Sequence, residues 1–206
     1  MPRSARLDAP GALHQIVIRG VDRRKIFKDD DDREDFLGRL EKLLPITKTS
    51  CFAWALIPNH ARFLFRTGNE SIATLMRRLL TGYAVYFNHR HKRSGQLFQN
   101  RYKSTLCQED AYLTELVRYI HLNPDRGGMV KSFEELNKHN YSGHTVLMGN
   151  IKREWQDVDH LLAYFGKQRY SARKHYYTFV TEGVDQGRRD ELMGGGVIRS
   201  LGGWSA

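Results

Sequence analysis

Tyr119 and Asn123 stand four residues apart in the run Tyr119-Ile-His-Leu-Asn123, so on a helix they share a face while His121 points away. A phenol there could act as a nucleophile, and the amide oxygen could ligate a hard metal ion. A helical tyrosine is more often core or surface, however, and the chain has ten. His60 follows Pro58-Asn59 between two apolar runs. Alone, a histidine beside a strand is more often structural than catalytic. His89-Arg90-His91 is the only His-x-His in the chain. Such a pair shares a face in a strand but lies about 200° apart on a helix. It closes a helical pattern, so it reads as facing solvent or phosphate rather than a metal. Cys51 and Cys107 lack CxxC spacing and read as free thiols in a reducing cytoplasm.

Charge points to a partner. The 206 residues carry 33 Lys+Arg against 23 Asp+Glu, a net +10. Residues 1–70 hold 13 basic and 10 acidic side chains, a balance of +3, and residues 109–206 hold 13 of each. Residues 71–108 hold Arg77, Arg78, Arg90, Lys92, Arg93, Arg101 and Lys103 and no acid. A positive field concentrated in one stretch favours a polyanion. Tyr83, Tyr86, Phe87, Phe98 and Tyr102 interleave with it. Such rings can stack unpaired bases of DNA or RNA, which keeps an RNA-binding module as an alternative, although several fall on a helix's apolar face.

Composition excludes other classes. Forty percent hydrophobic with 11% aromatic is too apolar for a disordered chain. No run approaches the length of a membrane span, and the first residues lack the apolar stretch of a secretory signal. A cytoplasmic protein is expected.

The elements that must position these residues follow from periodicity. Residues 13–18, 51–57, 61–66 and 102–107 read as strands. Asp29 to Asp32 run into a helical pattern at Phe36, Leu37, Leu40, Leu43 and Leu44. Six acids at its start suit the positive end of the helix dipole and lack the Gly and distal Glu of a calcium loop. Ser71 is the expected N-cap of a helix to about residue 89, with Ile72, Leu75, Met76, Leu79, Tyr83 and Phe87 on one face. A further helix opens near Glu109-Asp110 and ends at Pro124 and Gly127-Gly128. The order strand, helix, strand, strand, helix, strand, helix implies an α+β fold with helices against an antiparallel sheet. Helical pieces at 158–165 and 169–182 and a Gly-rich end at 194–203 are expected to be peripheral.

Three motifs, Leu56-Ile-Pro-Asn-His60, Gln96-Leu-Phe-Gln-Asn-Arg-Tyr-Lys103 and Arg118-Tyr-Ile-His-Leu-Asn-Pro-Asp-Arg126, resemble in order and spacing the single-tyrosine HUH transposases, with the nearest likeness to the bacterial repeat-associated tyrosine transposases. Pro10-Gly-Ala-Leu-His14, Arg19-Gly20, Tyr86-Phe-Asn88 and Asp110-Ala-Tyr-Leu113 also fit. The likeness spans about residues 5–145, and it is softer from Phe179 to Trp204. It implies a ferredoxin-like antiparallel sheet with helices on one side as a domain over 1–145, followed by a mostly helical, Gly-rich extension over 146–206. It also implies that Tyr119 attacks single-stranded or hairpin DNA, leaving a 5′-phosphotyrosine and a free 3′-OH. His60 and Asn123 match ligands for Mg²⁺ or Mn²⁺, and the protein would act as a monomer or a homodimer.

One position departs from the family pattern. Where the family has a second His, this chain has Arg62, in His60-Ala61-Arg62. A guanidinium cannot ligate a cation, and its fixed charge repels one. Two expectations follow. In one the protein still binds hairpin DNA but is weak or dead as a nuclease. In the other Arg62 itself contacts the phosphate, partly replacing the metal charge. In both, Arg62, Arg77, Arg78, Arg90, Lys92, Arg93, Arg101 and Lys103 are expected to meet DNA.

Overall fold

A computed structural model of the chain describes residues 9–107, 111–187 and 198–199, the last two as backbone only. The Gly-rich end at 194–196 and 202–203, and the helix opening at Glu109-Asp110, lie outside them. The expected order of the first seven elements is the observed one: β1 (Leu13–Arg19), α1 (Asp30–Thr47), β2 (Ser50–Ile57), β3 (His60–Arg66), α2 (Ile72–Arg90), β4 (Lys103–Cys107) and α3 (Ala111–His121). Beyond these come α4 (Asn123–Arg126), α5 (Phe133–Leu136), α6 (Gly143–Met148), α7 (Val158–Ala163), α8 (Arg169–Thr181) and the two-residue β5 (Ile198–Arg199). Sheet order is β2-β3-β1-β4-β5, with β1 to β4 antiparallel and β5 parallel to β4.

Local chemistry explains the helix starts. Asp29 caps α1 by accepting from the Asp32 amide, and Ser71 caps α2 by accepting from that of Thr74. Pro124, expected to stop a helix, instead lies in the first turn of α4, where a missing N–H costs nothing. The chain therefore turns at Leu122 and restarts.

Helices cover both faces of the sheet, not one. Ile16, Ile18, Trp54, Leu56, Phe63 and Phe65 pack with Phe36, Leu40, Leu79 and Tyr83 of α1 and α2. Leu13, Phe52, Ala55 and Leu64 pack instead with Leu113, Val117 and Ile120 of α3. The near-continuous apolar runs in β2 and β3 carry the reason, because a strand buried on both sides cannot alternate with polar residues. A β-bulge between Cys51 and Ala53 turns Phe52 and Ala53 to the same side. Leu161, Leu162, Ala172, Tyr176 and Val180 of α7 and α8, expected at the periphery, join the α3 core.

A buried chain of polar groups fastens these later helices to α3. The Tyr176 hydroxyl lies 2.7 Å from His121 Nδ1 and 2.8 Å from His144 Nδ1, and His144 Nε2 lies 2.7 Å from Asn137 Oδ1. His144 Nε2–H donates to Asn137, so its Nδ1 must accept from Tyr176, whose oxygen then accepts from His121 Nδ1–H. His121 Nε2 ends the relay as a buried nitrogen beside Gly143, where any Cβ would stand 2.6 Å from it. Burial holds both histidines below their ordinary range, His144 at about 4. No helix among the described residues is long and apolar enough to cross a membrane.

Candidate active site

Strand register brings the sequence-predicted residues together. His60 and Arg62 are two apart on β3, so they face the same side, the one α3 covers. On β1, Arg19 lies opposite His60 and Val17 opposite Arg62. From above, α3 and α4 supply Tyr119, Asn123 and Arg126. The Asn123 Nδ2 donates to the Tyr119 carbonyl at 2.7 Å, tying the turn at Leu122 and leaving its side-chain oxygen for His60. The other ring nitrogen of His60, Nδ1, lies 2.8 Å from Asn59 Oδ1.

Two guanidinium groups rest on the Tyr119 ring, with Arg62 Cζ 5.1 Å and Arg126 Cζ 4.9 Å from its centre. Arg126 is held there by the carbonyls of Tyr119 and Gly183. Arg62 is 5% exposed, and its Nε and Nη1 are buried without a hydrogen-bond partner. Burial depresses its affinity for the proton, and Arg19 and Arg126 depress it further. A cation–π contact contributes about 0.5–2 kcal/mol. Removing a cation from water costs several kcal/mol. Stacking on Tyr119 alone therefore does not offset the burial of Arg62.

His60 is neutral at pH 7. Burial, then the charges of Arg62 and Arg19, bring it down to about 4, against an opposing hydrogen bond from Asn123. A neutral imidazole could ligate a metal, but the rest of the donor set does not fit one. His60 and Asn123 are bonded to each other, the third position is a guanidinium, and Arg19 and Arg126 add further positive charge. Mg²⁺ needs several oxygen ligands and favours carboxylates. Among the described residues no three His, Cys, Asp or Glu side chains gather to hold an ion.

Beside Arg62 opens a cleft of about 220 Å³, lined by Arg19, Arg62, Arg101, Lys103, Gln99 and Asn100. The other basic residues of the acid-free stretch are elsewhere. Arg77 and Arg78 are exposed on α2, across the sheet. Lys92 and Arg93 occupy the turn after α2, where Arg93 donates to the Gln96 carbonyl. Arg90 is bound by Asp29, Asp31 and Asp32 at 2.6–2.8 Å, and His91 Nε2 lies 2.9 Å from both Asp32 oxygens. Tyr83, Phe87 and Tyr102 are buried. Arg19 and Arg126 went unrecognised as site residues in the sequence. Both lie inside the motifs quoted above, but only pairing of β1 with β3 and the turn at Leu122 aim them at Tyr119.

A sequence profile described as "Transposase IS200 like" matches residues 11–123, more than half the chain. No curated protein sequence matches. Among solved structures, a repeat-associated (REP) tyrosine transposase bound to a REP hairpin superposes with a TM-score of 0.59 at 16% identity, over 77% of this chain and 90% of its own. A transposase candidate from Deinococcus radiodurans R1 reaches 0.38 at 15% identity, over 58% and 94% of the two chains. The tRNA(His) guanylyltransferase of Saccharomyces cerevisiae reaches 0.41 at 7%, over 86% and 81%. The first of these shares the fold: an antiparallel sheet with helices packed on it.

Proposed function

This chain belongs to the IS200-like transposase family, and on that footing we propose that it binds single-stranded or hairpin DNA on the α3 face of its sheet, with Tyr119 as the nucleophile that cuts and rejoins the strand. The observation that carries this reading is the seating of Tyr119 against Arg62 and Arg126, next to a cleft that also presents Arg19, Arg101 and Lys103. Cations so placed attract a phosphodiester and stabilise the charge that grows on it as a phenol attacks. The related hairpin-bound structure supports hairpin DNA as the substrate class.

In the step itself the Tyr119 oxygen bonds to phosphorus and the bond to the 3′-oxygen breaks. The product is a 5′-phosphotyrosine and a free 3′-OH, and attack by another 3′-OH reverses it. One phosphodiester replaces another, so no nucleotide cofactor is consumed. Asn123 holds the end of α3 and orients the Tyr119 segment through the Tyr119 carbonyl. No step is assigned to Mg²⁺ or Mn²⁺, because the residues present do not fit one.

A second reading is a DNA-binding protein whose cleavage has been weakened. It is favoured by Arg62, which removes the second histidine of the family pattern, and shares the same binding surface. The deciding experiment incubates the full chain with a pool of hairpin oligonucleotides carrying randomised single-stranded flanks. A covalent protein–DNA adduct that disappears in Tyr119→Phe is the expected result. Retained binding with no adduct, with or without EDTA, would establish the second reading instead.

A further inference from the structure

We propose that Arg62, with Arg19 and Arg126 beside it, forms a built phosphodiester-binding site in which guanidinium groups occupy the place of a metal ion, so that strand transfer at Tyr119 is metal-independent. The inference rests on the reading of Tyr119 given above and adds to it the agent that neutralises the phosphate.

Two independent observations meet at Arg62. The first is an unsatisfied cation. The residue is 5% exposed, and two of its guanidinium nitrogens, Nε and Nη1, are buried with no partner. No carboxylate among the described residues pairs with it, whereas Arg33, Arg39, Arg90, Arg118, Arg153 and Arg169 each have one. A buried charge without a counter-ion is a fault in an isolated fold, but in a binding site it awaits an anion. The second is place. Arg62 both touches the Tyr119 ring and lines the cleft that Arg19, Arg101 and Lys103 make positive. An anion entering that cleft meets the guanidinium next to the nucleophile.

The chemistry matches a phosphodiester. A planar guanidinium presents paired N–H donors at the spacing of two phosphate oxygens, which a single ammonium does not. As the Tyr119 oxygen bonds to phosphorus and the 3′-oxygen leaves, negative charge accumulates on the non-bridging oxygens, and the fixed cations stabilise it. The phenolic proton ends on the released 3′-oxygen, so atoms and charge balance without a metal or a redox partner.

The test uses the full chain in EDTA with the oligonucleotide (dT)10 as probe. Expected is a rise in melting temperature of the wild type on adding (dT)10. Arg62→Met should melt higher than the wild type without DNA, because an unpaired buried charge is gone, and should bind (dT)10 roughly tenfold more weakly. Arg62→Lys should recover part of that affinity, keeping the charge and losing the fork. With the hairpin pool, adduct should form as fast in EDTA as in Mg²⁺. Adduct that requires Mg²⁺ or Mn²⁺, or (dT)10 binding unchanged in Arg62→Met, would overturn the proposal. If Arg62→Met melts lower, the residue is a structural prop and the site is likewise refuted. No adduct under any condition, with Arg62-dependent binding intact, would remove Tyr119 as the nucleophile and leave the phosphate site supported.

Discussion

At the scale of single residues, the chain carries two buried arrangements of opposite character. Beside Tyr119 the buried Arg62 has no carboxylate partner among the described residues, which suits a site that receives an anion. Around Tyr176 every bond but one is made within the protein, which suits a rivet. The relay from Asn137 through His144 and Tyr176 to His121 works with both rings neutral, since a second proton on His144 would confront the Tyr176 donor and one on His121 would sit at a buried nitrogen without a partner. The sign of the pH dependence follows. Below about pH 6.5 the unfolded chain takes up protons at these histidines, and the folded core refuses them until about pH 4 at His144. Stability should therefore fall as the pH drops through that window, by about 1.4 kcal/mol per pH unit for each histidine. Urea unfolding at a series of pH values measures the slope, and His144→Asn should flatten it by that amount. A slope unchanged in this variant would show that the relay does not control the acid sensitivity.

Among elements, the decisive pairings are α1 with α2 and α3 with the sheet. The acidic start of α1 and the basic end of α2 each complement their own helix dipole. Brought together, they join Asp32, which is fully buried, to Arg90 and His91. Asp32 also accepts from the Lys28 amide, so it ties the entry of α1 as well. Asp32→Asn should lower the melting temperature, whereas Asp31→Asn, at an exposed aspartate that reaches only Arg90, should leave it nearly unchanged. Thermal unfolding compares the two directly. Equal effects would mean that surface charge, not the buried junction, holds the helices. Legibility differed by element. The acidic start of α1, the cap at Ser71, the apolar stripe of α2 and the runs of β2 and β3 could be read because each signal is local. The restart at α4 could not, because Pro124 serves equally as a stop or as a first-turn residue, and only the packing of Asn123 and Pro124 decides.

For the whole molecule, the net charge of +10 overstates the positive charge gathered near Tyr119. Arg90 is neutralised by aspartates, and Arg77 and Arg78 lie across the sheet from Tyr119. The field that matters at the site is the cleft of Arg19, Arg62, Arg101 and Lys103. Binding to single-stranded DNA should weaken steeply with salt, and each phosphate contact contributes about 0.7 to the slope of log affinity against log salt. Fluorescence anisotropy across a salt series should show Arg101→Gln reducing that slope by about one such increment, and Arg90→Gln leaving it unaltered. A reduction in Arg90→Gln would place DNA on the α1–α2 junction instead. The α7 and α8 helices share the α3 core, so the segment carrying Tyr119 is braced by residues outside the matched 11–123.

The sequence by itself determined the element order, the family and the candidates His60, Tyr119 and Asn123, because periodicity, caps and spaced motifs are written within short stretches of chain. It also exposed Arg62 as the one residue in the wrong chemical class for a metal ligand. Only the tertiary structure decided what surrounds that arginine. Strand register set Arg19 opposite His60, the turn at Leu122 brought Arg126 over Tyr119, and packing buried the Arg62 guanidinium without a counter-ion. Those relations join residues many positions apart, and charge in a linear chain carries no information about which partner will neutralise it. That is why a single basic stretch, uniform in sequence, separates in space into an ion-paired junction, an exposed helix face and a cleft beside Arg62 and Tyr119.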